Sequence, residues 1–283
     1  MIKYTNKYTD KSFDIAKCRE WAESGYAPAQ YQLGQCYEEG AGVERNLAKA
    51  FRLYWAASDN CRLAKERLNK DSYQGQLAKW LKKAVNGKQL SGTDLAQAQC
   101  MLGSCYRHGW GVECDMTSAV EWWQKAADLG DAYANYCLGD CYRRVAEDYS
   151  QAVRWYSRAV DFGGNAFPEA QRGLADCYAS GHGVEQDWEK AADLYRQAAK
   201  NDDPESQYLL AQCYAEGHGV EQDMTEAVRL YKKAATYVNE NTGYYGHARA
   251  MRCLGDCYAN GDGVRKNAKQ AAAWYAKAEG ANI

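Results

Sequence analysis

The five-residue string Leu-Gly/Ala-x-Cys-Tyr occurs six times, beginning at Leu33, Leu102, Leu138, Leu174, Leu210 and Leu254. Self-similarity at a fixed period constrains a chain more than any single motif. It means that one supersecondary unit is copied, and that each copy buries its apolar face against the next. Three consecutive steps, from Leu102 to Leu210, are each 36 residues. The step from Leu33 to Leu102 is 69, so a degenerate copy is expected between them. Ala64-Lys65-Glu66-Arg67-Leu68 lies 35 and 34 residues from its neighbours and fits that place. The last step, 44 residues, carries an insert around Thr236 to His247.

Within each unit the spacing predicts two helices. Ala29, Leu33 and Tyr37, or Ala134, Leu138 and Tyr142, stand four apart and share one helical stripe. A Gly-x-Gly-Val turn follows at 40–43, 109–112, 181–184, 217–220 and 261–264. Its glycines can take the positive φ that ends a helix. Next comes an Asp or Asn suited to cap a second helix: Asn46, Asp115, Asp187, Asp223 and Asn267. Asp223 and Glu226 have capping-box spacing. The second stripe reads Ala191, Leu194, Tyr195, Ala198, or Ala227, Leu230, Tyr231, Ala234. Small alanines allow close approach while Trp and Tyr fill the wider gaps.

In these motifs the chain resembles the Sel-one-like (SLR) repeat proteins, relatives of tetratricopeptide solenoids. The family unit runs Ala-x-x-x-Leu-Gly-x-x-Tyr-x-x-Gly-x-Gly-Val, then Asp, Lys-Ala, Trp-Tyr and Ala-Ala-x-x-Gly. Residues 170–199 and 206–235 match it almost position by position, as do 98–127 and 29–57. The resemblance implies an all-α fold: an α/α solenoid, wound as a right-handed superhelix, of about seven repeats plus an N-terminal capping helix. The repeats are placed at about 26–58, 59–90, 91–130, 131–164, 165–201, 202–241 and 242–283, after an extension and cap at 1–25. Seven first and eight second helices, about fifteen in all, are expected. Units around Leu68 and Leu138 lack the glycine turn and must join their helices differently. The segment from Asp10 to Gly25 reads as an isolated second helix with Trp21 facing the first repeat, and Asn267 to Ala281 as the closing helix.

The charge balance, 35 basic against 37 acidic residues, argues against a dedicated nucleic-acid binder. It is uneven: residues 1–90 hold 16 Lys/Arg and 10 Asp/Glu, the rest 19 and 27. Met1 to Lys11 hold no apolar signal core and no apolar run is long enough to span a membrane, so a cytoplasmic protein is expected. Of twelve cysteines, Cys36, Cys105, Cys141, Cys177, Cys213 and Cys257 occupy one register. That is how a packing position behaves, so reduced structural thiols are expected. A secreted branch of the family staples its repeats with cysteines at the junctions. Here the matching places hold Ala126-Ala127 and Ala198-Ala199. Cys137/Cys141 and Cys253/Cys257 lie one turn apart, but no Cys-x-x-Cys completes a metal site. His182 and His218, in identical Gly-His-Gly-Val turns, read as tolerant loop positions. Phosphate loops, nucleophile elbows and zinc-helix motifs are missing. No catalytic residue, metal or cofactor is assigned.

What remains is surface. Stacked helix pairs leave a concave face lined by first helices, where solenoids take up peptides and proteins. The residue before each repeated cysteine is polar: Gln35, Ser104, Asp140, Asp176, Gln212 and Asp256. These form a candidate partner-binding ladder, with Gln32, Met101 and Leu209 as companions, the last two as exposed apolar contacts. A plainly solvated stripe is the competing reading. The insert, with Tyr237, Tyr244 and Tyr245, reads either as an adaptable binding loop or as a lengthened helix with a loose turn. The expectation is a non-enzymatic scaffold or adaptor, monomeric by itself, for a protein or peptide partner. The resemblance also leaves open an immunity-type protein neutralising a toxin, or a secreted host-interacting effector.

Overall fold

The computed structural model describes residues 14–58, 61–87, 90–163, 167–239 and 244–280. It is an all-α solenoid of consecutive helix pairs in two compact units, Met1–Lys83 and Ala84–Ile283. Among the described residues there are fifteen helices: a leading one and seven pairs. No described helix is long and apolar enough to cross a membrane.

In the first unit, α1 (Ile15–Glu23) packs on α2 (Ala27–Glu39) through Cys18, Ala22, Ala29 and Leu33. Trp21, expected to face the first repeat, is 55% exposed. The helix instead turns its small side chains inward, because Cys18 and Ala22 allow the close approach that an indole would prevent. The pair is completed by α3 (Leu47–Ser58), followed by α4 (Arg62–Leu68) and α5 (Asp71–Asn86), which runs across the unit boundary. The degenerate copy is a shortened one, since α4 stops at Leu68, where the other first helices continue for about another turn and a half.

The second unit holds α6 (Gly92–His108) and α7 (Met116–Asp128), α8 (Ala132–Arg144) and α9 (Tyr149–Gly163), and α10 (Pro168–Ser180) and α11 (Trp188–Lys200). Then come α12 (Pro204–Glu216) with α13 (Met224–Ala235), and α14 (Ala248–Asn260) with α15 (Ala268–Gly280). Between the last two pairs the insert forms a ribbon, β1 (Val238–Asn239) antiparallel to β2 (Tyr244–Tyr245), rather than an extended helix.

One set of hydrogen bonds makes each full unit. Gly40, Gly109, Gly181, Gly217 and Gly261 adopt positive φ and donate to the carbonyl of the repeated cysteine. The capping residue of the second helix then donates its N–H to the carbonyl of the repeated tyrosine, as Asp115 to Tyr106 and Asp223 to Tyr214, both at 2.9 Å. Its side chain accepts from the first free amides, as Asp223 does from Thr225 and Glu226. The expected capping box at Asp223 is only half made, because the Glu226 carboxylate pairs with Arg229. In the pair α8/α9, which lacks the glycine turn, Asp148 plays the same part, donating to Tyr142 and capping Gln151, with Glu147 at φ 52°.

An aromatic of the second helix, 21 residues after the repeated leucine (18 in the pair α8/α9), closes the core of each of the six pairs other than α4/α5: Tyr54, Trp123, Tyr156, Tyr195, Tyr231 and Tyr275. It lies on the small residue after that leucine, and a Cβ on Gly34, Gly103, Gly139 or Gly255 would meet its ring at 2.5–2.6 Å. At these four positions the approach of the ring leaves no room for a side chain. Five of the six repeated cysteines are buried beside it, and Cys141 is half-buried.

Candidate partner-binding surface

In the second unit, contacts pass from one first helix to the next. Arg107 of α6 reaches Asp140 of α8 at 3.5 Å, and Arg172 of α10 reaches Asp203, the cap of α12, at 3.3 Å. Glu205 of α12 accepts from His247 at 2.7 Å and pairs with Arg249 of α14 at 3.4 Å. His247 is buried and caps α14 by accepting the Ala250 N–H on Nδ1, so its Nε2 carries the proton given to Glu205. That bond is the main cause holding Glu205 below the ordinary carboxylate range. The His247 ring also stacks on Tyr208 at 4.7 Å, and the Arg249 guanidinium lies 4.5 Å from the same ring centre.

The ladder residues serve the fold more than expected. Asp140 is buried, 6% exposed, with Arg107, Arg143 and Arg144 around it. Asp176 accepts from Tyr195 Oη at 2.8 Å, and Asp256 from Tyr275 Oη at 2.7 Å. Burial pushes Asp176 up, against that bond and the nearby Arg143 and Arg172. Ser104 donates back to the Cys100 carbonyl of its own helix, and Gln212 is half-buried. In the first unit Gln35 and Gln32 are half-buried. There the matching network lies one turn further on: buried Glu38 accepts from Tyr54 Oη at 2.8 Å and from Arg67.

Met101 is not an exposed contact; it is 6% exposed. One residue is about 100° of helix, which sets Met101 beside Leu102 on the packed flank of α6. Leu209 stands at the same offset and is half-buried against the core around Leu210 and Tyr231. Tyr237 is half-buried, and Tyr244 and Tyr245 form β2, their side chains lying outside the described residues. The turn histidines are not loose: His182 lies over Tyr149 at 4.6 Å and His218 over Trp188 at 4.4 Å, each an aromatic opening the previous second helix.

The reading by ladder position overlooked the arginines. Arg107 and Arg143 stand five residues after their leucines, 36 apart, so the periodicity that located the ladder also contains them. On α8 the offsets 3, 7, 10 and 11 from Tyr133 collect Tyr136, Asp140, Arg143 and Arg144 on one stripe. Tyr133 is 41% exposed, 5.9 Å from the Tyr136 ring and 6.2 Å from Phe167.

The sequence pattern of the Sel1 repeat matches six segments, residues 27–60, 96–131, 132–161, 168–203, 204–236 and 248–279. The chain belongs to the Sel1 repeat family. The family match passes over the shortened pair α4/α5, in keeping with its lost half-helix. Among curated proteins, DAP3-binding cell death enhancer 1 of Rattus norvegicus is 28% identical over 168 residues, 56% of this chain and 33% of that protein. Chitin synthase regulatory factor 3 of Schizosaccharomyces pombe is 26% identical over 179 residues, 56% and 18% of the two chains. The match thus spans a third or less of these relatives. Among solved structures, c5321, a protective antigen of uropathogenic Escherichia coli with an SLR fold, superposes with a TM-score of 0.59 at 26% identity, over 95% of this chain and 56% of that one. A Sel1 repeat protein from Oxalobacter formigenes gives 0.56 at 26% identity, over 93% and 96%.

Proposed function

We propose that this Sel1 repeat chain is a non-enzymatic interaction scaffold that holds a protein or peptide partner on the first-helix face of its second unit. The observation that carries this reading is the band of arginine, tyrosine and carboxylate side chains crossing from α6 to α14, with Tyr133, Arg144 and Arg249 exposed. Tyr and Arg dominate the energetics of protein interfaces, because each combines a large apolar body with directional polar groups. A surface built from regular helices needs little ordering when a partner docks. The names of the relatives agree: one is called a binder of DAP3, another a regulatory factor of chitin synthase, and both names describe action through another protein.

The test is affinity purification of the tagged full chain from its native cells with quantitative mass spectrometry. A partner recovered in fixed ratio, and lost when the exposed Tyr133, Arg144 and Arg249 are replaced by Ser, is the expected result. A hydrolytic activity with no recoverable partner would overturn the reading.

A further inference from the structure

Three guanidinium groups surround one carboxylate at the centre of this face. Asp140, with its side chain 8% exposed, is met by Arg143 and Arg144 from its own helix and by Arg107 from the preceding first helix. Asp140 balances one of these charges, and half-buried Asp176 of the next first helix lies near Arg143. All three guanidinium groups keep a solvent-facing side, with Arg107 35%, Arg143 28% and Arg144 62% exposed. Arg172 of the next first helix, 27% exposed, leans on Asp203, itself 14% exposed and already accepting the Ser206 N–H at 2.8 Å. The acids of this patch, buried Asp140 and half-buried Asp176 and Asp203, are bonded within the chain, while its arginines keep donors toward solvent. Beside them on the α8 stripe lie the rings of Tyr133 and Tyr136, with Phe167 behind.

We infer that the face of α6, α8 and α10 binds an acidic segment of the protein partner, its carboxylates on Arg107, Arg143, Arg144 and Arg172 and a neighbouring apolar side chain on Tyr133. The inference rests on the scaffold reading and names the chemistry of what is held. Planar guanidinium forks pair with carboxylates in two-bond geometry, which an uncharged amide cannot match. A long polyanion such as nucleic acid suits the surface less well. Residues 91–283 hold 27 acids against 19 bases, so the positive patch is an island in a negative field.

The test is selection of a phage-displayed random dodecapeptide library on the full chain and on the R107Q/R144Q variant, with circular dichroism to confirm that both are folded. Expected are peptides enriched in Asp and Glu, binding about tenfold or more weakly to R107Q/R144Q and losing affinity as salt rises. Should the double variant fail to fold, R144Q alone, at the most exposed of the four, carries the comparison. Selected peptides lacking acidic enrichment, or indifferent to the substitutions, would overturn the inference and leave the scaffold reading standing. So would a labelled thymidine dodecamer that bound more tightly than the selected peptides. Absence of both selected peptides and a cellular partner would remove both.

Discussion

Two glycines of one turn, Gly217 and Gly219, separate what a repeat needs for itself from what it needs from its neighbour. Both lie in the left-handed region, at φ 74° and 68°. A Cβ on Gly217 would rest at 3.4 Å from Gln222 Cβ, an ordinary contact. A Cβ on Gly219 would fall 2.0 Å from the carbonyl oxygen of Trp188, at the start of α11 in the preceding repeat. Gly183 and Gly263 approach Tyr149 and Met224 in the same way, so this contact is a standing feature of the stack. For Gly217→Ala the cost is the left-handed backbone, about 1 kcal/mol. Gly219→Ala adds the displacement of the turn from α11, about 1–3 kcal/mol, and the loss of the His218–Trp188 stack, about 0.5–1 kcal/mol. The totals are about 1 against about 2.5–5 kcal/mol. Urea unfolding followed by circular dichroism and tryptophan fluorescence measures both. With a slope of about 3 kcal/mol per molar urea, the midpoint falls by about 0.3 M for Gly217→Ala and by about 0.8–1.7 M for Gly219→Ala. The Gly219→Ala transition is also expected to broaden, since neighbour interfaces carry the cooperativity of a repeat array. Equal losses for the two variants would refute the reasoning.

Other outcomes follow from the same geometry. Thiol labelling of the native chain is expected to modify exposed Cys114 first and fully buried Cys137 last, with Cys18, Cys177, Cys213 and Cys257 slow because burial lifts those four to about 11; uniform labelling by peptide mapping would contradict this. Asp140→Ala leaves three arginines without their shared carboxylate and is expected to cost about 2–4 kcal/mol in urea melts, with Asp140→Asn costing less. In acid, Glu205, Asp115 and Asp187 sit below their unfolded values, held by His247, by Ser118 and by the Lys190 amide. Their stabilisation is present above the ordinary carboxylate range and is lost as pH falls through the folded values. Urea midpoints should therefore drop below about pH 4, and Glu205→Gln should flatten that drop. Asp176, raised by burial, has the opposite sign and favours the fold while protonated.

Helix pairing was legible because its causes are local. Leucine and tyrosine spacing, the glycine turn and the caps at Asn46, Asp115, Asp187, Asp223 and Asn267 act within a few residues of themselves, and each appears where the spacing placed it. The failures concern side chains whose surroundings come from other repeats. Trp21 was read as a cap from its apolar character, yet the distance to α2 is set by Cys18 and Ala22. Met101 and Asp140 look alike in one helix, as residues beside an apolar stripe. Only the neighbouring helices decide that one is packed and the other pinned among arginines.

The repeat, the order of the helices and the Sel1 family membership were thus determined by sequence alone, since a period of 36 residues repeats the same short-range instructions. The character of the exposed face was decided by the tertiary structure. The three carboxylates of the polar ladder, Asp140, Asp176 and Asp256, are bonded on folding to the arginines, to Tyr195 and to Tyr275. Arginines are then what the centre of the face presents. A carboxylate beside a second-helix tyrosine, or Asp140 beside Arg107 of the preceding first helix, is better satisfied there than in water only once both helices are in place. That condition couples residues 19 or more positions apart, which no local pattern records.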